Sequence, residues 1–283
     1  MILDAHAHQF MYENFAEIIQ ENLEKDVIFI LENGLNPETN RLVLDLAKKH
    51  EIVYPALGLH PTDVVKMSLE EINSELEFME KNIREITAIG EVGLDFYWVK
   101  DPNLQALQKK VFEQILSLAE RKQKSIIIHS RQAEREVLEM LESFRVTAIL
   151  HSFWKPKLIK HAIDLGVYIS IPAFLVRDKG LQKICEETPL ELLLTETDSP
   201  FLDPVERRNN KSWKISYALP KICELKKISL DDLKETLLKN FCRVFDLNAR
   251  DLLERLSASQ SSGSSGKTFP GKSNTKSSAG REY

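Results

Sequence analysis

Short apolar runs alternate with longer amphipathic stretches along most of this chain. Eight runs, at residues 2–8, 26–32, 52–60, 87–95, 125–130, 147–152, 167–171 and 192–198, are rich in Val, Ile and Leu. Most are apolar at successive positions, the mark of a strand buried on both faces, as in parallel sheets. Between them apolar residues recur at helical spacing: Phe15, Ala16, Ile18, Ile19 and Leu23; Leu42, Val43, Leu46 and Ala47; Leu107, Val111, Ile115 and Leu118. Strands alternating with helices predict right-handed βαβ units. Eight such units in about 250 residues predict an α/β fold of the closed (β/α)8 TIM-barrel type. A doubly wound open sheet is the alternative, but it would normally carry a glycine-rich phosphate loop, and neither GxGxxG nor a Walker A pattern is present.

After the eighth run come Pro200, Pro204 and a basic stretch at 207–211, then helical patterns around 218–225 and 230–245. Ser229, followed by Asp231 and Asp232, reads as a helix start. From about Ser257 onward Ser, Gly, Lys and Thr dominate and few apolar side chains remain. Such a segment has too little to bury, so the expectation is one domain over 1–256 and a disordered, low-complexity tail over 257–283.

Composition narrows the picture less than patterning does. No apolar stretch approaches the roughly 20 residues of a membrane span. The first apolar pair, Ile2-Leu3, runs directly into candidate ligands, leaving no room for a signal peptide, so a cytoplasmic location is expected. Cys185, Cys223 and Cys242 show no CxxC spacing and read as ordinary thiols. The formal net charge of −5 argues weakly against a nucleic-acid binder. Divalent cations in a cleft would reverse the local sign, so net charge does not settle the matter.

The candidate chemistry lies where the apolar runs stop. His6 and His8, at i and i+2 of the first run, point to one side of a strand. Glu91 follows Ala88-Ile89-Gly90, where an ionised carboxylate needs a cation, and its two oxygens suit a bridge between two metals. His129 and His151 each follow an apolar run, and Asp198 closes the last one before Pro200. A parallel barrel gathers these ends on one face, and six histidines and carboxylates meeting there suit a pair of divalent ions for hydrolysis. Taken singly, each has a structural alternative: a strand-capping histidine, a buried ion pair for Glu91, a turn for Asp198. Asp198 could also accept a proton from an attacking water. Asp95 is read as a supporting or helix-start residue. Glu196 is left open, with a buried ion pair favoured.

These residues also carry a family likeness. The segments 4–8, 58–61, 90–97 (GEVGLDFY), 128–130, 151–153 and 195–202 (TETDSPFL) resemble, in order, the motifs of the TatD family of metal-dependent deoxyribonucleases, among the amidohydrolase-type barrels. The resemblance covers the chain to about residue 202 and implies a two-metal phosphodiesterase acting on DNA, with exonucleolytic action expected. By matching position it implies His6, His8 and Asp198 on one metal, His129 and His151 on the other, Glu91 bridging, and His60 beside the substrate phosphate. The loop after His151 and the segment 207–213 depart from the family pattern. The metals expected are Mg²⁺, Mn²⁺ or Zn²⁺.

Cations on the loops that follow the fifth to eighth runs (Arg131, Lys155, Lys157, Arg177, Lys179, Arg207, Arg208 and Lys211) form a candidate basic rim for single-stranded DNA or DNA ends, with Arg131 and Arg208 as substrate contacts. Trp154 and Trp213 are candidates for base stacking or for packing beneath a loop. No obligatory protein partner and no membrane are expected. The alternative function is hydrolysis of a cyclic amide or ester, or of an aminoacyl-tRNA ester, by the same metal site.

Overall fold

In the computed structural model, which describes residues 1–206 and 208–254, the eight apolar runs form one sheet of parallel strands in the order β1 to β8. The elements run β1 (Ile2–Ala7), α1 (Phe15–Glu24), β2 (Val27–Asn33), α2 (Pro37–Lys49), β3 (Val53–Leu57), α3 (Pro61–Val64), α4 (Leu69–Lys81), β4 (Ala88–Asp95), α5 (Pro102–Lys122), β5 (Ile126–Arg131) and α6 (Glu134–Leu141). They continue with β6 (Ala148–Leu150), α7 (Ile159–Asp164), β7 (Tyr168–Pro172), α8 (Lys179–Glu187), β8 (Leu193–Glu196), α9 (Ile215–Lys226) and α10 (Leu230–Phe245). The expected tail at 257–283 lies outside the described residues. No helix among those described is long and apolar enough to cross a membrane.

Every residue of β1, β2 and β4 is buried, as the unbroken apolar runs predicted. The sheet meets itself where the last strand ends: Ala7 pairs in parallel with Ser199, the Asp198 N–H donates to the His6 carbonyl at 2.9 Å, and the His8 N–H donates to the Ser199 carbonyl at 2.6 Å. Asp4, fully buried, fastens the same seam. Its carboxylate accepts from the Thr197 N–H (2.9 Å), the Thr197 hydroxyl (2.5 Å) and the Ser212 hydroxyl (2.6 Å), so no lone pair is left bare in the core. The fold is therefore the (β/α)8 barrel that the pattern predicted.

Helix starts follow from local chemistry. Asn36 with Thr39 and Ser68 with Glu71 form capping boxes at the starts of α2 and α4, and Ser229 caps α10 as expected. Helix α10 closes the end of the barrel where strands begin. The hydroxyl of Ser125, just before β5, donates to the Val244 carbonyl, and Phe245 stacks on Phe29 of β2 with ring centroids 5.2 Å apart. The opposite end, where strands stop, is left for a site.

Four predicted runs overshoot their strands. They extended to His8, His60, Ser152 and Asp198, whereas the ladders stop at Ala7, Leu57, Leu150 and Glu196. The reason is local. Ser152 (φ 42°) and Asp198 (φ 57°) adopt left-handed backbone, and His60 caps α3 instead of extending β3. Hydropathy cannot see these turns, since the residues that make them are themselves buried or half-buried.

Candidate active site

All six residues read as ligands converge at the open end. On one side, His6 Nε2 and His8 Nε2 stand 3.0 Å apart, 3.5 and 3.1 Å from Glu91 Oε2 and 3.5 and 3.8 Å from Asp198 Oδ1. On the other, Glu91 Oε1 lies 2.8 Å from His129 Nδ1, 3.5 Å from His151 Nε2 and 3.7 Å from His60 Nε2. One carboxylate thus presents each of its oxygens to a different group of imidazoles.

The outer nitrogens fix which ring atoms face inward. His8 Nδ1 lies 2.8 Å from the Asn33 carbonyl, which can only accept, so Nδ1 carries the proton and Nε2 offers a lone pair. His151 Nδ1 faces Glu196 at 3.3 Å and His129 Nε2 faces Asp95 at 2.9 Å, leaving His151 Nε2 and His129 Nδ1 directed at Glu91. His60 is the exception. Its Nδ1 lies 2.7 Å from the Thr62 hydroxyl and accepts the Thr62 N–H at 3.3 Å, an arrangement suited to a hydrogen on the inward Nε2, while His60, Glu91 and His129 also lie close enough together to hold an ion. His6 Nδ1 has no partner; the ring is held by stacking on His151, with centroids 3.7 Å apart.

Charges in this cluster are tightly coupled. Burial, together with the charge of His151, drives the His6 imidazole well below the usual range, so it is neutral. Burial opposes charge on His151 too, but Glu196 and Glu91 overcome it and raise it to about 10; Asp95 and Glu91 likewise raise His129 to about 8. Glu91 resists burial because the imidazoles around it hold its carboxyl well below the usual carboxylate range. Burial lifts Asp198 to about 6. Protons on His129 and His151 therefore occupy positions between nitrogen and carboxylate oxygen where a divalent ion would compete with them. At His6 and His8, two imidazole nitrogens stand 3.0 Å apart and within 4 Å of both Glu91 Oε2 and Asp198 Oδ1; burial works against charge on His8, but Glu91 and Asp198 raise its pKa, so here too a proton sits where a cation would compete. A mixed nitrogen and oxygen donor set of this kind fits Zn²⁺, Mn²⁺ or Mg²⁺.

A ring of buried groups holds these donors in place, and the sequence left it largely unassigned. Glu196 accepts from the N–H and the hydroxyl of Ser152, both at 2.9 Å, besides facing His151. Asp95 fills the supporting role, meeting His129 through Oδ2, but it starts no helix: its Oδ1 accepts the Trp98 N–H at 2.7 Å in a turn, and α5 begins only at Pro102, capped by Asp101. Glu32, whose carboxyl burial raises to about 7, accepts the N–H groups of Gln9 and Phe10, just past His8. Polar residues inside apolar runs were the one signal for Glu32 and Glu196.

Of the expected rim cations, Lys157 and Lys179 are exposed, and others are engaged. Lys211 is paired with Glu21, Arg177 donates to the Val205 carbonyl at 2.8 Å, and Lys155 lies 3.8 Å from Glu134. Arg208 is exposed, and Arg207 lies outside the described residues. Arg131 is exposed and lies over the Tyr97 ring at 4.0 Å. Trp154 is exposed, its ring 6.0 Å from that of Phe174. Trp213 packs beneath its loop, donating through Nε1 to Glu21 at 2.9 Å.

A family model described as TatD related DNase matches residues 3–246. A metal-dependent hydrolase of Methanocaldococcus jannaschii is 32% identical over 247 residues, spanning 86% of this chain and 96% of its own. Human deoxyribonuclease TATDN3 is 28% identical over 269 residues, covering 90% of this chain and 97% of its own. Among solved structures, YJJV, a TatD homolog from Escherichia coli, superposes with a TM-score of 0.78 at 25% identity, covering 87% of this chain and 98% of that one. A match over nearly the whole barrel places the chain in the TatD-related DNase family, as a metal-dependent hydrolase.

Proposed function

We propose that the protein hydrolyses phosphodiester bonds of DNA at a two-metal site. His6, His8 and Asp198 would hold one ion, His129 and His151 the other, and Glu91 would join them. The single observation that carries this reading is Glu91, with Oε2 toward His6 and His8 and Oε1 toward His129 and His151. The human relative's description as a deoxyribonuclease supports DNA as the substrate class. Bound there, divalent cations supply Lewis acidity toward a phosphoryl oxygen and lower the pKa of a water.

The chain's own groups do the rest. Asp198, at the edge of the mouth with its side chain 17% exposed, would orient an attacking water and take its proton. His60, which burial holds neutral by lowering it to about 4, is placed to donate Nε2–H to a phosphoryl oxygen. Glu196 and Asp95 keep the His151 and His129 rings turned toward Glu91.

Asp95→Asn removes the anion behind His129 with little change of volume. Metal affinity is expected to fall by about 10- to 100-fold. Calorimetric titration with Mn²⁺ checks this, and an unchanged affinity would remove Asp95 from the supporting role. The function itself is tested by a time course on end-labelled single- and double-stranded DNA with Mg²⁺, Mn²⁺ or Zn²⁺. Metal-dependent release of mononucleotides, blocked by EDTA, is expected for exonucleolytic action. Turnover of lactones or cyclic ureides with intact DNA would overturn the reading.

A further inference from the structure

Directly after Asp95 the chain turns through Phe96, Tyr97 and Trp98. Trp98 is 57% exposed and Tyr97 38% exposed, and among the described residues Trp98 is the most exposed tryptophan. The two rings meet edge to face with centroids 4.8 Å apart. Arg131, the register partner of Asp95 on β5, lies over Tyr97 at 4.0 Å and near Trp98 at 5.6 Å. Lys100 Nζ stands 5.4 Å from the Tyr97 ring. The turn is not loose: the Trp98 N–H is held by Asp95 Oδ1 and the Phe96 N–H by the Arg131 carbonyl at 2.9 Å. Since Asp95 Oδ2 also meets His129, this aromatic surface is tied through one carboxylate to the candidate metal centre.

We propose that Tyr97, Trp98 and Arg131 form a stacking platform for a nucleobase of single-stranded nucleic acid, next to the phosphate undergoing cleavage. The inference deepens the nuclease reading and rests on it for the identity of the substrate. Two exposed aromatic rings in contact form a contiguous patch, the kind of surface that marks an interaction site. What covers it here is indicated by charge. Arg131 and Lys100 flank the rings, while the nearby acids are engaged, Asp95 by His129 and the Trp98 N–H, Asp101 by the Asn103 N–H at 2.8 Å. Among the described residues the Arg131 guanidinium has no carboxylate partner. Stacked on Tyr97, it keeps its in-plane N–H edges free for a phosphate oxygen. A surface of π-faces with cations at its edge suits unpaired bases and their backbone, and is tolerant of sequence because every base offers a face.

The test uses the intact chain, a fluorescein-labelled oligo(dT) and the same oligonucleotide carrying abasic sites, with binding read by anisotropy in EDTA and cleavage read separately with Mn²⁺. Trp98→Ala is expected to weaken binding of oligo(dT) by about tenfold. The loss should shrink toward onefold on the abasic strand, and Trp98→Phe should restore most of the affinity. Equal binding by parent and Trp98→Ala, or an equal loss on both strands, overturns the platform. Were Trp98→Ala to alter only the sedimentation of the protein, the surface would serve a protein contact and the proposal would fail. Trp98-dependent binding without cleavage by the parent would sustain the platform and reject the nuclease reading. Cleavage with Trp98-independent binding would do the reverse.

Discussion

Glu91→Ala is expected to reduce metal-dependent cleavage by about 10³-fold or more, the equivalent of several kcal/mol of lost metal-ion stabilisation, while the protein still folds. Glu91 is buried, and its two oxygens are the groups that His6, His8, His129 and His151 have in common. Remove them and each group of imidazoles loses the anion between it and the other. The neighbouring positive charges on His129 and His151 then repel a divalent ion instead of yielding to one. Circular dichroism should be unchanged, because β4 is held by its ladder to β5 rather than by the carboxylate. Undiminished cleavage by this variant would reject the joining role assigned to Glu91.

Gly58→Ala is expected to lower both stability and activity, although Gly58 carries no chemistry. A Cβ at this position would lie 2.3 Å from the Glu91 carbonyl oxygen, 2.4 Å from the Glu91 nitrogen and 2.4 Å from the Gly90 carbonyl carbon. All three are backbone atoms, so no side-chain rotation relieves the collision. Nor can Gly58 retreat, since Asn40 clamps it from behind, accepting its N–H at 3.0 Å and donating to its carbonyl at 2.8 Å. Asn40 is in turn held by Glu75 at 2.8 Å. The added methyl must therefore push the Gly90-Glu91 peptide away from β3. A cost of about 4 kcal/mol or more is expected, a fall in melting temperature of roughly 8–16 °C, with loss of metal affinity as Glu91 shifts. Gly166→Ala is the control. Gly166 has a positive φ of 70° but nothing within 4 Å of its Cβ position, so about 1–2 kcal/mol of left-handed strain is all it should show. Equal melting temperatures for the two variants would refute the collision.

Much of this architecture is legible in the residues themselves. Unbroken apolar runs such as Ile126-Ile127-Ile128 announce strands buried on both faces, and helical spacing between runs announces the barrel. Because parallel strands all end on one side, a histidine or carboxylate at the end of each run lands in one mouth. His6, Glu91, His129, His151 and Asp198 could thus be gathered without any knowledge of loops. Other features depend on register and backbone turns that hydropathy does not encode. Nothing in the sequence says that Glu196 reaches across to His151 and Ser152, or that Asp4 ties β1 to Thr197 and Ser212. The role of His60 turns on its contacts with Thr62, through both hydroxyl and N–H, and spacing alone could not supply those. Trp213, on a basic loop, reads from sequence as either a stacking ring or one packed beneath its loop. It is partly buried against the core and tethered to Glu21, whereas Trp98, next to a recognised motif, is the most exposed tryptophan among the described residues.

The claim on which all of this depends is that two divalent ions lie on either side of Glu91. Crystals grown with Mn²⁺ and measured at the manganese absorption edge test it most directly. The account predicts two anomalous peaks, one among His6, His8 and Asp198 and the other between His129 and His151, both touching Glu91. A single peak remote from Glu91, or none at the mouth of the barrel, would contradict it.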